Sequence, residues 1–153
     1  MFNIKVESSV SARQKEESSE YMAAWRLDKK HAISYLQSRK EISRQQEFLH
    51  GLLRNQIDNI EKIKFADIAC GAGWSSFHIS NEFGIKNIDL YDLSSIALNL
   101  AEENSKQYDL ETVNIYHEDI SRPVWLIKNK YDLIINLMTL CCIEEPEEFL
   151  QIC

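Results

Sequence analysis

The chain has 153 residues, 44% of them hydrophobic and 27% charged, which is ordinary for one globular domain with a buried core. A net charge of −7 argues against a broad nucleic-acid-binding face, and no apolar run is long enough to cross a membrane. The four cysteines form no C-x-x-C pair and the amino terminus has no signal-peptide pattern, so we expect a reduced, cytoplasmic protein without a metal site.

Residues 1–63 are predicted to be helical throughout and to form a cap or lid within the same domain. The first dozen residues are rich in serine and charge, and we expect them to be frayed. Tyr21 and Trp25 then follow at helical spacing, and no proline interrupts the segment. We therefore expect two or three helices that pack against a sheet or lie over its ligand.

The later part of this segment carries two further helical patterns. Ile33 and Leu36 belong to one predicted helix. Ser43 and Gln46 match a capping box at the start of the next. The stripe that follows consists of Phe48, Leu49, Leu52, Leu53 and Ile57.

Residues 64–153 alternate strand and helix patterns. The predicted strands cover residues 65–70, 87–91, 113–117 and 131–137. Helices are predicted at 74–83, capped by Gly84, and from Ser94 or Ser95 onward; a short helix or turn is predicted at 123–127 and a last helix near Glu145. This alternation predicts right-handed βαβ units and a parallel sheet.

A tight glycine turn joins the first of these strands to its helix, in the string K-F-A-D-I-A-C-G-A-G-W-S-S. Gly71 and Gly73 stand one residue apart, so the backbone can pass close to a ligand without a Cβ in the way. The helix after the turn begins with N–H groups that have no partner inside the helix. This arrangement favours a nucleotide-like ligand at the carboxyl end of the first strand.

Three aspartates recur in strand order. Asp67 lies within the first strand, Asp92 ends the second and Asp119 follows the third. Asp92 comes nineteen residues after Gly73, close to the spacing of about 20 residues typical of a ribose-binding acid. Taken singly, each aspartate is also explained as a helix cap, a turn former or a structural acceptor. Together with the glycine turn they favour a ligand site.

These strings resemble the class I S-adenosylmethionine-dependent methyltransferases that act mostly on small molecules. The matching strings are A-D-I-A-C-G-A-G, Y-D-L-S, E-D-I and Y-D-L-I-I-N-L-M-T-L, and the resemblance covers roughly residues 18–153. It implies a Rossmann-like α/β fold whose strands here have the order 3-2-1-4 of a seven-stranded sheet. It also implies S-adenosylmethionine as cofactor and a small-molecule methyl acceptor.

The resemblance assigns roles to individual positions. Gly71 and Gly73 would face the methionine part of the cofactor, and Asp67 would hold the glycine loop or the cofactor's amino group. Asp92 would bind the ribose hydroxyls and Asp119 the adenine amino group. The other positions assigned to the cofactor are Ala69, Cys70, Leu93, Ile120, Asn136 and Leu137, with Tyr21 and Trp25 as part of a lid. No catalytic residue is assigned.

Three departures from the family pattern stand out. Ala69 replaces the family's first glycine, and Trp74 replaces a small residue after the turn. Cys141 and Cys142 stand where similar proteins often carry histidine. The scattered histidines receive no role.

Two alternatives remain open from the sequence. One is a non-catalytic module that binds S-adenosylmethionine or regulates another protein. The other is a nicotinamide dinucleotide oxidoreductase, although its third glycine would fall at Ser76. Only four of seven strands are present and the fourth is apolar on both faces, so we expect either an incomplete chain or a partner chain over that edge.

Overall fold

The architecture is a parallel sheet flanked by helices. A computed structural model describes residues 3–8, 10–18, 28–41, 43–56, 59–120, 130–137, 139 and 147. Its strands are β1 (Asn3–Ser8), β2 (Phe65–Ile68), β3 (Asn87–Asp92), β4 (Thr112–His117) and β5 (Leu133–Ile135). They form one sheet in the order β1-β4-β3-β2-β5, and all its pairings are parallel.

The helices are α1 (Val10–Ser18), α2 (Lys29–Ser38), α3 (Arg44–Gln56), α4 (Trp74–Phe83) and α5 (Ser95–Ser105), with a 3₁₀ turn at Ile60–Lys62. The predicted fold class is confirmed, because β4-β3-β2-β5 reproduces the order 3-2-1-4. Helix α4 has the predicted bounds and ends at Gly84, whose φ is 72°. Among the helices described, none is long and apolar enough to span a membrane.

The first strand corrects the prediction that residues 1–63 are helical throughout with a frayed start. β1 pairs along the whole of β4, from Asn3 opposite Thr112 to Ser8 opposite His117. Most of its side chains are exposed. The strand therefore forms by completing the unpaired backbone edge of β4 rather than by burying an apolar face, and such a pairing leaves little pattern in the sequence.

The main hydrophobic core lies between one face of the sheet and helices α2 to α5. Ile88 and Leu90 of β3 are buried in it with Phe77 of α4. Tyr91, one residue further along β3, packs instead with Ile68 on the opposite face. This alternation follows from the two-residue period of a strand, and it places Asp67 and Asp92 on the face that α4 and α5 cover.

Helix α3 begins with the predicted capping box. The Ser43 N–H donates to Gln46 Oε1 at 2.6 Å and the Gln46 N–H donates to Ser43 Oγ at 3.3 Å. The apolar stripe divides, because Leu53 is buried in the core whereas Phe48 and Leu52 are 69% and 44% exposed. Positions 48 and 52 form a separate ridge of the helix, which turns away from the sheet.

Strand β5 is shorter than predicted and, within the described residues, pairs only with β2. The predicted short helix at 123–127, Ile57 and both Cys141 and Cys142 lie outside the described residues. Of the predicted last helix, only Glu147 is described, and it is helical.

Replacing Gly73 with alanine should destabilise the chain by at least about 2 kcal/mol, through left-handed strain of about 1–2 kcal/mol and overpacking of about 1–3 kcal/mol. The residue has φ 77°, and a Cβ there would lie 2.6 Å from the Phe77 ring. Urea unfolding followed by circular dichroism measures the change. Gly51→Ala is the matched control: Gly51 lies inside α3, and in the described part of the chain nothing lies within 4 Å of an added Cβ, so this variant should gain about 0.5–1 kcal/mol in free energy of unfolding. Equal effects of the two substitutions would contradict the prediction.

Candidate functional site

The turn after β2 is held in a left-handed conformation at three positions. Ala69, Gly71 and Gly73 have φ values of 61°, 56° and 77°. The Gly73 N–H donates to the Cys70 carbonyl and the Cys70 N–H to the Tyr91 carbonyl, both at 3.0 Å. Burial and the nearby aspartates raise the pKa of the Cys70 thiol well above its ordinary value, so this cysteine is a neutral packing group.

Ala69 is the exceptional residue of this turn. A non-glycine residue in the left-handed region is strained by roughly 1–2 kcal/mol. The small size of alanine does not explain its presence at this position. A glycine would be favoured here because it adopts the left-handed conformation without strain, and not because it takes less space. Strain of this kind persists where the surrounding structure fixes the backbone, and it clusters at ligand-binding turns.

Asp92 links the turn after β2 to the turn after β3. Its Oδ2 accepts the Gly71 N–H and its Oδ1 accepts the Ser94 N–H, both at 2.8 Å. Burial raises the pKa of the Asp92 carboxyl above its ordinary value, and the two N–H donors offset part of that rise. The carboxylate therefore stands between the two turns and fixes their separation.

Asp67 lies beneath the turn and is 2% exposed. Its Oδ2 accepts a hydrogen bond of 2.5 Å from the Ser76 hydroxyl, which ties β2 to the first turn of α4. Burial, reinforced by the negative charge of Asp92, raises the pKa of Asp67 to about 7, although the Ser76 hydroxyl works against the rise. Asp67 therefore changes charge close to neutral pH.

The loop after β4 carries Asp119, whose Oδ2 lies 3.3 Å from Lys15 Nζ of α1. The next residue, Ile120, is buried against Ile68 and Tyr91 on the opposite face of the sheet. Asp119 is thus held near the carboxyl edge by an ion pair with the amino-terminal helix.

Asn136 and Leu137 follow β5 at the same edge. The Asn136 side-chain amide donates to the Ile68 carbonyl at 3.2 Å, immediately before the glycine turn, and Thr139 donates to its Oδ1 at 2.8 Å. Leu137 packs against the main core and lines an open apolar groove of ≈ 450 Å³ beside α3.

The structure brings most of the predicted site residues to one edge. Gly71 and Asp92 are in direct contact, and Asn136 touches β2 just before the turn. Leu93 presents its carbonyl to His117 Nε2 at 2.9 Å. Tyr21 and Trp25, the predicted lid residues, lie outside the described residues. The binding roles of all these residues remain predictions.

Three neighbours of the site were missed from the sequence: Lys15, Glu16 and His117. Glu16 reaches Ser95, 79 residues away in the chain, and no local pattern marks such a contact. His117 could have been suspected from its place at the end of the third predicted strand, in register with Asp92. No three His, Cys, Asp or Glu side chains are grouped to hold a metal ion in the part of the chain that the structure describes.

Comparisons with known proteins point to one family. A family model described as a methyltransferase domain matches residues 65–153. The release factor glutamine methyltransferase of Coxiella burnetii is 39% identical over 57 residues, which cover 37% of this chain and 21% of that protein.

Solved structures resemble the fold over a longer stretch. A SAM dependent methyltransferase from Aquifex aeolicus matches with a TM-score of 0.61 and 22% identity, over 77% of this chain and 63% of that one. Magnesium protoporphyrin IX methyltransferase from Synechocystis PCC 6803 with bound SAM matches with a TM-score of 0.57 and 16% identity, over 78% of this chain and 53% of that one. The chain thus spans about a fifth of the curated relative and less than two thirds of these structures.

Removing the strain at Ala69 should stabilise the chain. Ala69→Gly relieves about 1–2 kcal/mol of left-handed strain in the folded state. Against this gain, the added glycine stabilises the unfolded state by about 0.4–1 kcal/mol through backbone entropy. We expect a net gain of about 0.5–1 kcal/mol in urea unfolding. Ala101→Gly, the same change inside α5, should instead lose about 1 kcal/mol or more. A loss of stability in Ala69→Gly would show that this turn is not strained.

The raised pKa of Asp67 predicts that stability falls as pH rises. Between the unfolded value near 3.8 and the folded value of about 7, the folded chain holds the extra proton. From pH 4 to pH 8 the free energy of unfolding of the parent should therefore fall by up to about 4 kcal/mol relative to that of Asp67→Asn, because asparagine does not titrate. Chemical unfolding across this range measures the difference. Parallel profiles for parent and Asp67→Asn would refute the assignment.

Proposed function

This chain belongs to the methyltransferase domain family, and we propose that it binds S-adenosylmethionine at the carboxyl edge of its sheet and transfers the methyl group to a small molecule. The observation that carries the proposal is the contact between Asp92 Oδ2 and the Gly71 N–H at 2.8 Å. It sets a carboxylate beside a glycine turn at the ends of two adjacent strands, where nucleotide-like ligands bind in folds of this class.

The residues at this edge suit an adenosyl ligand. A carboxylate offers about four acceptor positions, and the two backbone N–H donors leave Asp92 with capacity for the two hydroxyls of a ribose. Among the described residues, a Cβ added at Gly71 would meet only Leu36, at 3.6 Å, so the backbone of the turn is open to close approach. Asp119 and Ile120 then follow at the next strand, where we propose that the adenine lies.

The protein's part in the reaction is positioning. When bound, S-adenosylmethionine supplies a methyl group that the positive charge on its sulfur already activates. The chain's residues orient the reactants and exclude water, and good orientation is worth on the order of 7–11 kcal/mol of barrier. Asp92 adds negative charge beside the glycine turn, which favours a cationic ligand there.

We place the methyl acceptor in the apolar groove beside Leu137. Leu137 directly follows Asn136, which touches β2 just before the glycine turn. The groove is lined mainly by apolar side chains of α3, which favours a small, largely apolar acceptor. The groove is lined by Arg44, Gln45, Phe48, Leu49, Leu52 and Leu137.

Further features belong to the same proposal. We infer a cytoplasmic protein in which residues 64–153 form the cofactor-binding core, β1 completes its sheet, and the rest of residues 1–63 forms a cap with Tyr21 and Trp25 in a lid. We also propose that a partner chain covers β5, because an edge of this kind is a site of pairing.

Asp92→Ala should weaken binding of S-adenosylmethionine about tenfold or more, because each lost charge-assisted hydrogen bond contributes roughly 1.5–3 kcal/mol. Isothermal titration calorimetry with S-adenosylmethionine and S-adenosylhomocysteine measures the loss, and circular dichroism checks that the variant is folded. Asp109→Ala serves as the control, since that side chain is 95% exposed and forms a surface ion pair with Lys86. Equal affinity of parent and Asp92→Ala would remove the ribose assignment.

The same titrations separate the alternatives. Binding of NADH in place of S-adenosylmethionine would favour an oxidoreductase. The buried Ser76 argues against that reading, because it occupies the position of the third glycine of the dinucleotide-binding motif. Binding without transfer of a labelled methyl group to any small-molecule acceptor would favour a non-catalytic module.

A further inference from the structure

We propose that β1 and α1 form the outer wall of the adenosyl pocket, and that Glu16 is the positioning residue of that wall. The inference rests on the proposed function, since it assigns new residues to the same site. It concerns a strand and helix that precede the family match and that nothing in the sequence connects to the cofactor.

Glu16 holds the turn that follows Asp92. Its Oε1 accepts the Ser95 N–H at 3.0 Å and the Ser95 hydroxyl at 2.8 Å, and its side chain is 13% exposed. Ser95 is the first residue of α5, so Glu16 sets a negative charge at the amino end of that helix, where such a charge is favourable. Asp92 holds the neighbouring Ser94 N–H from inside the site. The turn is therefore fixed from both sides.

The second oxygen of Glu16 reaches the end of β4 through His117. Glu16 Oε2 lies 3.1 Å from His117 Nε2, which lies 2.9 Å from the Leu93 carbonyl oxygen. On the other side of the ring, His117 Nδ1 lies 2.9 Å from Ser8 Oγ at the end of β1. These contacts join the ends of β1, β3 and β4, and the last two carry the proposed ribose and adenine contacts.

Lys15 completes the wall at the adenine end. Its ammonium lies 3.3 Å from Asp119 Oδ2, so a positive charge of α1 stands beside the aspartate proposed to take the adenine amino group. Side chains of β1 are mostly exposed, whereas Glu16 and His117 are largely buried. The polar contacts of Glu16 and the ion pair of Lys15 are thus directed at the two loops of the site.

The test compares ligands that share the adenosyl group but differ in the methionine half. Parent, Glu16→Ala, Glu16→Gln and the control Glu82→Ala are titrated calorimetrically with S-adenosylhomocysteine and with 5′-methylthioadenosine. Glu82 is an exposed glutamate near the end of α4 that is paired with Arg54, which makes it a matched control outside the wall. We expect Glu16→Ala to lose about tenfold in affinity for both ligands, Glu16→Gln to lose less because its amide oxygen still accepts from Ser95, and Glu82→Ala to match the parent.

The ratio of the two dissociation constants is the decisive readout. If the wall acts only on the adenosyl half of the ligand, its loss weakens both ligands equally and leaves this ratio unchanged. A general loosening of the fold also weakens the contacts to the methionine half of S-adenosylhomocysteine and therefore shifts the ratio. A shifted ratio, or unchanged affinity in both Glu16 variants, overturns the inference while the proposed function stands. Failure of the parent to bind either ligand overturns both. If Glu16→Ala does not fold, Glu16→Gln and hydrogen exchange at residues 93–97 decide the question: faster exchange with weakened adenosyl binding supports the wall, and exchange like the parent's overturns it.

Discussion

The arrangement of the loops at the carboxyl edge of the sheet depends on the carboxylate of Asp92. It accepts one backbone N–H from the glycine turn and one from the turn before α5, so a single side chain sets the distance between two loops. Asp67 lies nearby in the buried interior, and each negative charge makes the other less favourable. Two carboxyl groups in such a place are stable because N–H and O–H donors surround them, and because one of them can hold a proton near neutral pH.

Much of the core could be predicted from the sequence because its signals are local. The bounds of α4, the cap at Gly84 and the capping box at Ser43 each depend on residues within a few positions of one another. The alternation of strands and helices predicted a parallel sheet, whereas the strand order was implied by the resemblance to the methyltransferase family. The family's motif also led to Gly71 and Asp92, which the structure places in contact.

The remainder depends on contacts that no local pattern records. Strand β1 is exposed and gains its hydrogen bonds from β4, more than 100 residues away. Glu16 reaches Ser95 across 79 residues, and the stripe on α3 divides because the sheet meets only one of its ridges. The conformation of Ala69 was equally hidden, since a sequence shows which residue stands in a turn but not the backbone angle that its neighbours impose.

The pairing of β1 with β4 also has a consequence for the order in which the chain assembles. A ribosome releases residues 3–8 long before it releases residues 112–117, and a strand made early has no partner until the later one emerges. Contacts between such distant segments form slowly, because the loop between them must first be closed. Local units such as β2–α4 can form beforehand. Strand β1, synthesised before the other described strands, is therefore among the last parts of the sheet to reach its final place.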